Sequence, residues 1–189
     1  MRRQRLVAAA AWVLLPLLLG DGCAAPPPPT PLLHPPYFLS RDGNLRYRLP
    51  AGWFDATADS QGNGHAVFLV RGDYAGTLTV RELHADAAAR KVVNRAGVLD
   101  VARLTVALES GSSSGLVVRE PEQVKLSGKE ACVYEVRRGS GDIVRTYLLD
   151  TGERIYAVAA LVSSDAPPPA RREIQEVQEV FVGAMKSVR

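Results

Sequence analysis

The chain has 189 residues, 23 basic and 20 acidic, with a formal charge of +3 and a sequence pI near 9.0. Three arginines and one aspartate fall within residues 1–22, so beyond them 20 basic residues face 19 acidic ones; a balance of about +1 carries no electrostatic footprint for nucleic acid. Of the two cysteines, Cys23 sits beside the leader and Cys132 stands alone in the body of the chain, which leaves no intrachain disulfide.

The first predicted element is that leader. Arg2, Arg3 and Arg5 precede an apolar stretch over residues 6–19, and Gly20, Asp21 and Gly22 follow, the outline of a secretory signal peptide. Fourteen residues rising 1.5 Å each cover roughly 21 Å, short of the ~30 Å hydrocarbon core of a bilayer, and Pro16 interrupts them. Cleavage after Ala25 would put Pro26 just past the cut, so cleavage after Gly22 is favoured, with residues 1–22 removed and Cys23 as the new terminus. The stretch "LLLGDGC" resembles a bacterial lipoprotein signal, although Gly20 stands where leucine is usual and Asp21 where a small neutral residue is usual. That resemblance implies acylation of Cys23, and more than one chain at ~0.8 kcal/mol per buried methylene makes a stable anchor. A free secreted protein and an uncleaved anchor are the alternatives. Arg5 argues against twin-arginine export. By similarity to enterobacterial sorting, where aspartate after the lipidated cysteine retains the protein in the inner membrane, Ala24 implies the outer membrane.

Residues 23–36, "CAAPPPPTPLLHPP", are too proline-rich for helix or sheet and read as a polyproline-type tether, which at ~3.1 Å per residue reaches roughly 40 Å. Residues 37–189 are one domain's worth of chain. Within them "NLRYRLPAGWF" alternates Leu45, Tyr47 and Leu49 against Arg46 and Arg48, a half-buried strand stopped by Pro50 and Gly52. "HAVFLVRG" and "GTLTVRELH" predict two more strands. The period then changes: Asp86 suits an N-cap, and Val92, Ala96, Leu99, Ala102 and Val106 predict a helix over residues 86–109 that ends in the flexible "SGSSSG". Four strands follow in "LVVREPEQVKLSG", "KEACVYEVRRG", "DIVRTYLLD" and "RIYAVAALVSS", the last apolar enough to be central and covered on both faces. A closing helix places Ile174, Val177, Phe181, Ala184 and Val188 on one stripe, with Lys186 and Arg189 at its C-terminal dipole end. The pattern defines an α+β domain, an antiparallel β-sheet with helices packed on it.

"YRLPAGW", the hairpin "RTYLLDTGERIYAVAALVSS" and the tail "EIQEVQEVFVGAMKSV" resemble the PsbP-like α/β/α sandwich shared by photosystem II extrinsic proteins, a eukaryotic Ran-binding regulator and bacterial envelope lipoproteins of the DcrB type. The resemblance spans residues 37–189 and implies an accessory or binding role without a catalytic centre.

Several motifs invite chemistry. "GSSSG", residues 111–115, matches a nucleophile elbow centred on Ser113, but the elbow needs strand before helix, here the order is reversed, and no histidine follows His84. "DTG" at Asp150 matches the aspartic-protease signature, but that chemistry takes two carboxylates and the chain carries one copy, so a hairpin turn is the better reading. Glu82, His84 and Asp86 lie on one side of an extended strand and offer a metal set; the plain alternative is a strand end whose aspartate caps the next helix. His34 lies in the tether and His65 follows a loop, neither with an evident second ligand. Cys132 alternates with Tyr134 and Val136 and reads as core. Arg46, Arg48, Arg81, Arg137, Arg138 and Arg145 would form a stripe for carboxylate or phosphate if their faces coincide; a solvated face paired with Glu82 and Glu135 is the alternative.

The expectation is therefore a non-enzymatic lipoprotein of the bacterial cell envelope, facing the periplasm from the outer membrane, held by a lipid on Cys23 and bound to another envelope protein, with no catalytic residue, metal or cofactor. A small-ligand or lipid carrier with a cavity between sheet and helix is the first rival, and metal-assisted hydrolysis at His84 the second.

Overall fold

The computed structural model describes residues 32–60, 63–84, 90–91, 97–112 and 115–188. Cys23, Asp86, Val92, Ala96 and Ser113 lie outside them. The strands are β1 (Leu33–Leu39), β2 (Leu45–Pro50), β3 (Trp53–Asp55), β4 (Val67–Arg71), β5 (Gly76–Leu83), β6 (Leu116–Leu126), β7 (Lys129–Arg137), β8 (Ile143–Asp150), β9 (Ile155–Val162) and β10 (Lys186–Ser187). The helices are α1 (Val98–Ser112) and α2 (Pro168–Ala184).

Seven strands form one antiparallel sheet in the order β3-β4-β5-β9-β8-β7-β6, and β1-β2-β10 form a second. The apolar run of β9 sits at the middle of the large sheet, where a strand has to be buried along its length. Its two faces fare differently. Val158, Ala160 and Val162 are buried beneath α2, whereas Ala157, Ala159 and Leu161 on the α1 side are only half-buried, so the sheet is covered fully on one face alone. Ser127 and Gly128 both have positive φ, 48° and 84°, which a two-residue hairpin between twisted strands demands; they join β6 to β7.

α2 opens on Pro168 and Pro169, which lose nothing at a helix start because the first amides have no intrahelical acceptor. Its stripe of Ala170, Ile174, Val177, Phe181 and Val182 is buried against the sheet, each large side chain contributing roughly 1.5–3 kcal/mol. Two predicted extents change. The closing helix ends at Ala184: Met185 is extended (φ −60°, ψ 142°) and Lys186 pairs with Arg46 in β10. Strand pairing to β2 outweighs another helical turn, and Lys129, reaching over from β7, caps the helix by donating to the carbonyls of Val182, Gly183 and Met185. The first helix is not one run from residue 86, because Gly97 stands at φ +83° and α1 begins after it; a left-handed residue cannot continue a helix.

β1 also begins earlier than the predicted domain, taking in His34, Pro35 and Pro36. Between Leu33 and Tyr37 the register slips, so that four steps along β1 match two along β2. The prolines occupy this bulge on an edge strand, where no ladder amide is required of them.

Candidate functional site

α1 lies over one half of its sheet face. Ala102 and Val106 pack on Cys132, Tyr134, Val136 and Leu148 of β7 and β8, leaving β5 and β9 under a hollow. Cross-strand rows on this face run Thr77-Leu161-Val144-Val136 and Thr79-Ala159-Thr146-Tyr134. Ala159 and Thr146 at the middle of the second row, and Thr77 and Thr79 at the β5 end of both, are too short to fill the space beneath the helix. The result is an open groove of about 720 Å³, with His65, Arg81, Thr105 and Arg138 among its lining residues. The same face continues across β4 and β3 through Phe68, Val70 and Phe54, and Tyr74, 75% exposed, meets the Phe54 ring edge-on at 6.0 Å.

Thr79 and Thr105 in the groove donate their hydroxyls to the carbonyls of Ala159 and Val101, and its charged groups are less committed. Neither Arg81 nor Arg138 forms an ion pair among the described residues. His65 stacks on Phe68 at 5.8 Å, and its Nδ1 is buried without a hydrogen-bond partner among the described residues. Burial, then the charge of Arg81, pushes its pKa below the usual 6.5, so the ring is neutral at neutral pH. A larger hollow of about 940 Å³ lies at the other end of the strands. There Asp150 pairs with Arg90 at 3.0 Å and Lys129 caps α2, which spends both groups on the fold. The groove is therefore the better candidate.

The residues singled out in the sequence disperse. Asp150 accepts from Arg90 and from the Gly152 amide at 2.8 Å, which makes it a turn residue. Arg154 takes Glu82 at 2.6 Å, and His84, its side chain 91% exposed, stands 3.9 Å from the same carboxylate. No set of three metal-capable side chains occurs among the described residues. Cys132 is fully buried and its thiol pKa is pushed up by burial, as a core position requires. Around residues 111–115 the order is α1 then β6, the reverse of a nucleophile elbow. The six arginines do not form one stripe. Arg46 and Arg48 belong to the small sheet, Arg81 lies on the α1 face of the large one, and Arg145 lies on the α2 face, where Glu135 (3.5 Å) and Glu179 (2.7 Å) hold it.

No family model matches the chain and no curated protein matches it in sequence. Solved structures do match. The cyanobacterial PsbP (CyanoP) of Synechocystis sp. PCC 6803 superposes with a TM-score of 0.57 at 12% identity, over 81% of this chain and 92% of that one. The Ran-binding protein Mog1p of Saccharomyces cerevisiae gives a TM-score of 0.54 at 9% identity, over 82% and 95%. The chain therefore has the PsbP/Mog1-like α+β fold, antiparallel sheets with helices packed on them, α1 and α2 among the described residues.

Proposed function

We propose that the chain is a non-enzymatic binding module of the bacterial cell envelope, carried out of the cytoplasm by residues 1–22, lipidated on Cys23 and presented to the periplasm from the outer membrane. The observation that carries the binding role is the half-covered sheet face, with its groove of about 720 Å³ and two arginines at the lining that have no ion pair among the described residues. The occurrence of this fold in a Ran-binding protein supports the same reading, as do Asp150, Glu82 and Cys132, each engaged by the fold. The partner is an envelope protein.

A small-ligand carrier is the second reading. The groove exceeds the ~300 Å³ at which ligand sites begin, and its floor of alanine, valine, leucine and tyrosine is the lining such sites use. Native mass spectrometry of the full chain extracted from its own membranes separates the two: a defined protein mass supports the module, and a small bound mass supports the carrier. Ala159→Trp fills the groove from its floor, so it should remove either bound mass at a cost in stability of about 1–3 kcal/mol. Bound mass that survives this change puts the site elsewhere. Cys23→Ala should release the protein from membranes, and undiminished attachment would refute the anchor.

A further inference from the structure

The small sheet has two unlike faces. Leu45 and Tyr47 of β2 are buried with Phe181 and Met185. On the outer face, Tyr37 and Leu39 of β1 lie beside Arg48 and Arg46 of β2, and Lys186 of β10 is directly opposite Arg46. Arginine faces lysine across a ladder, an arrangement that destabilises a sheet unless something neutralises it. None of these three cations has an ion-pair partner among the described residues. The Tyr37 ring carries Arg48 at 4.6 Å and Lys186 at 5.3 Å from its centroid, and Leu39 projects 59% exposed. Cations around an aromatic ring and a bare leucine are the composition of a surface that rests on lipid headgroups.

The position of this face in the chain fits. Leu33 is ten residue steps from Cys23, which fully extended span at most about 36 Å. β1 is thus the first described element reached from the anchor. Resting on the lipidation of Cys23 proposed above, we infer that the outer face of β1-β2-β10 docks on a bilayer surface containing anionic lipid, with Arg46, Arg48 and Lys186 on the phosphates and Tyr37 and Leu39 at headgroup depth. The docked face is separate from the groove beneath α1, which stays free for its own occupant.

The test uses the full chain extracted from its membranes and reconstituted in phosphatidylcholine vesicles with or without phosphatidylglycerol. Leu39→Cys carries a bimane probe, and Cys132, fully buried, does not compete for it. The expected result is a blue shift only with phosphatidylglycerol, reversed by high salt. Each cation should shift the docked population about fivefold, so Arg46→Glu with Arg48→Glu and Lys186→Glu should abolish docking. Lys186→Glu alone, at an exposed position, should weaken it about fivefold or more without threatening the fold. The protein's mass reads the anchor separately. Acylated protein whose probe ignores phosphatidylglycerol overturns the docking face and leaves the anchor standing; docking on an acidic protein would give the same silence on protein-free vesicles. If Cys23 carries no acyl chain, co-sedimentation with phosphatidylglycerol vesicles decides the face: binding lost in Lys186→Glu supports it, and no binding overturns it.

Discussion

Arg145 is 7% exposed on β8, held by Glu135 and Glu179 and by a 2.6 Å hydrogen bond to the Tyr147 hydroxyl. Beside it Gln178, fully buried on α2, donates to the backbone carbonyls of Arg145 and Val158 at 2.8 and 2.9 Å. Together they fix where α2 sits on the sheet. Removing the cation strands the Glu135 carboxylate, 15% exposed, so Arg145→Met should cost about 3 kcal/mol, read as a lower urea midpoint. Replacing Arg145 and Glu135 together by apolar residues should recover most of that loss. His65 makes a second prediction. Its folded pKa lies below the unfolded 6.5, so protonation favours the unfolded chain; its contribution is intact above 6.5 and is lost as pH falls from there through the folded pKa. Between about pH 7.5 and about pH 5.5 the wild-type midpoint should drop further than that of His65→Gln. Equal drops would place the shift elsewhere.

At the scale of elements, what the sequence made legible was whatever has a period. The alternations of β2, β5 and β7 and the stripe of α2 are read directly from apolar spacing. β3 and β10, of three and two residues, are too short to have a period, and they exist because a neighbouring strand offers unpaired amides. The end of α2 was misplaced for the same reason. Ala184 and Val188 continue the helical spacing, but the cap that stops the helix comes from Lys129, more than fifty residues away in sequence. Lys129→Met should fray that end and cost about 1–2 kcal/mol, seen as faster amide exchange in residues 181–185; unchanged exchange would mean that β10 alone holds the terminus. The groove was half legible. Thr77, Thr79, Ala157 and Ala159 alternate as small residues on facing strands, but nothing in sequence says that α1 covers β7 and β8 rather than β5 and β9.

For the molecule as a whole, the likeness to CyanoP and Mog1p at 12% and 9% identity means that the layout survives replacement of nearly every side chain. The layout then gives the chain two independent surfaces, a half-roofed apolar groove on the large sheet and a cationic plate on the small one. The first has no charge periodicity for a sequence reader to find. The second was present in the list of strand arginines, but only the pairing of β2 with β10 separates Arg46 and Arg48 from Arg145 and adds Lys186. That pairing also sets an order of events in time. β2 takes its first partner from residues 33–39 and its second from residues 186–187, so one strand waits through roughly 140 residues of synthesis for its other neighbour. Loop closure over such a span is late and slow. The small sheet is then the last part of the domain to close, and a chain cut short of residue 186 would hold β2 by its β1 edge alone.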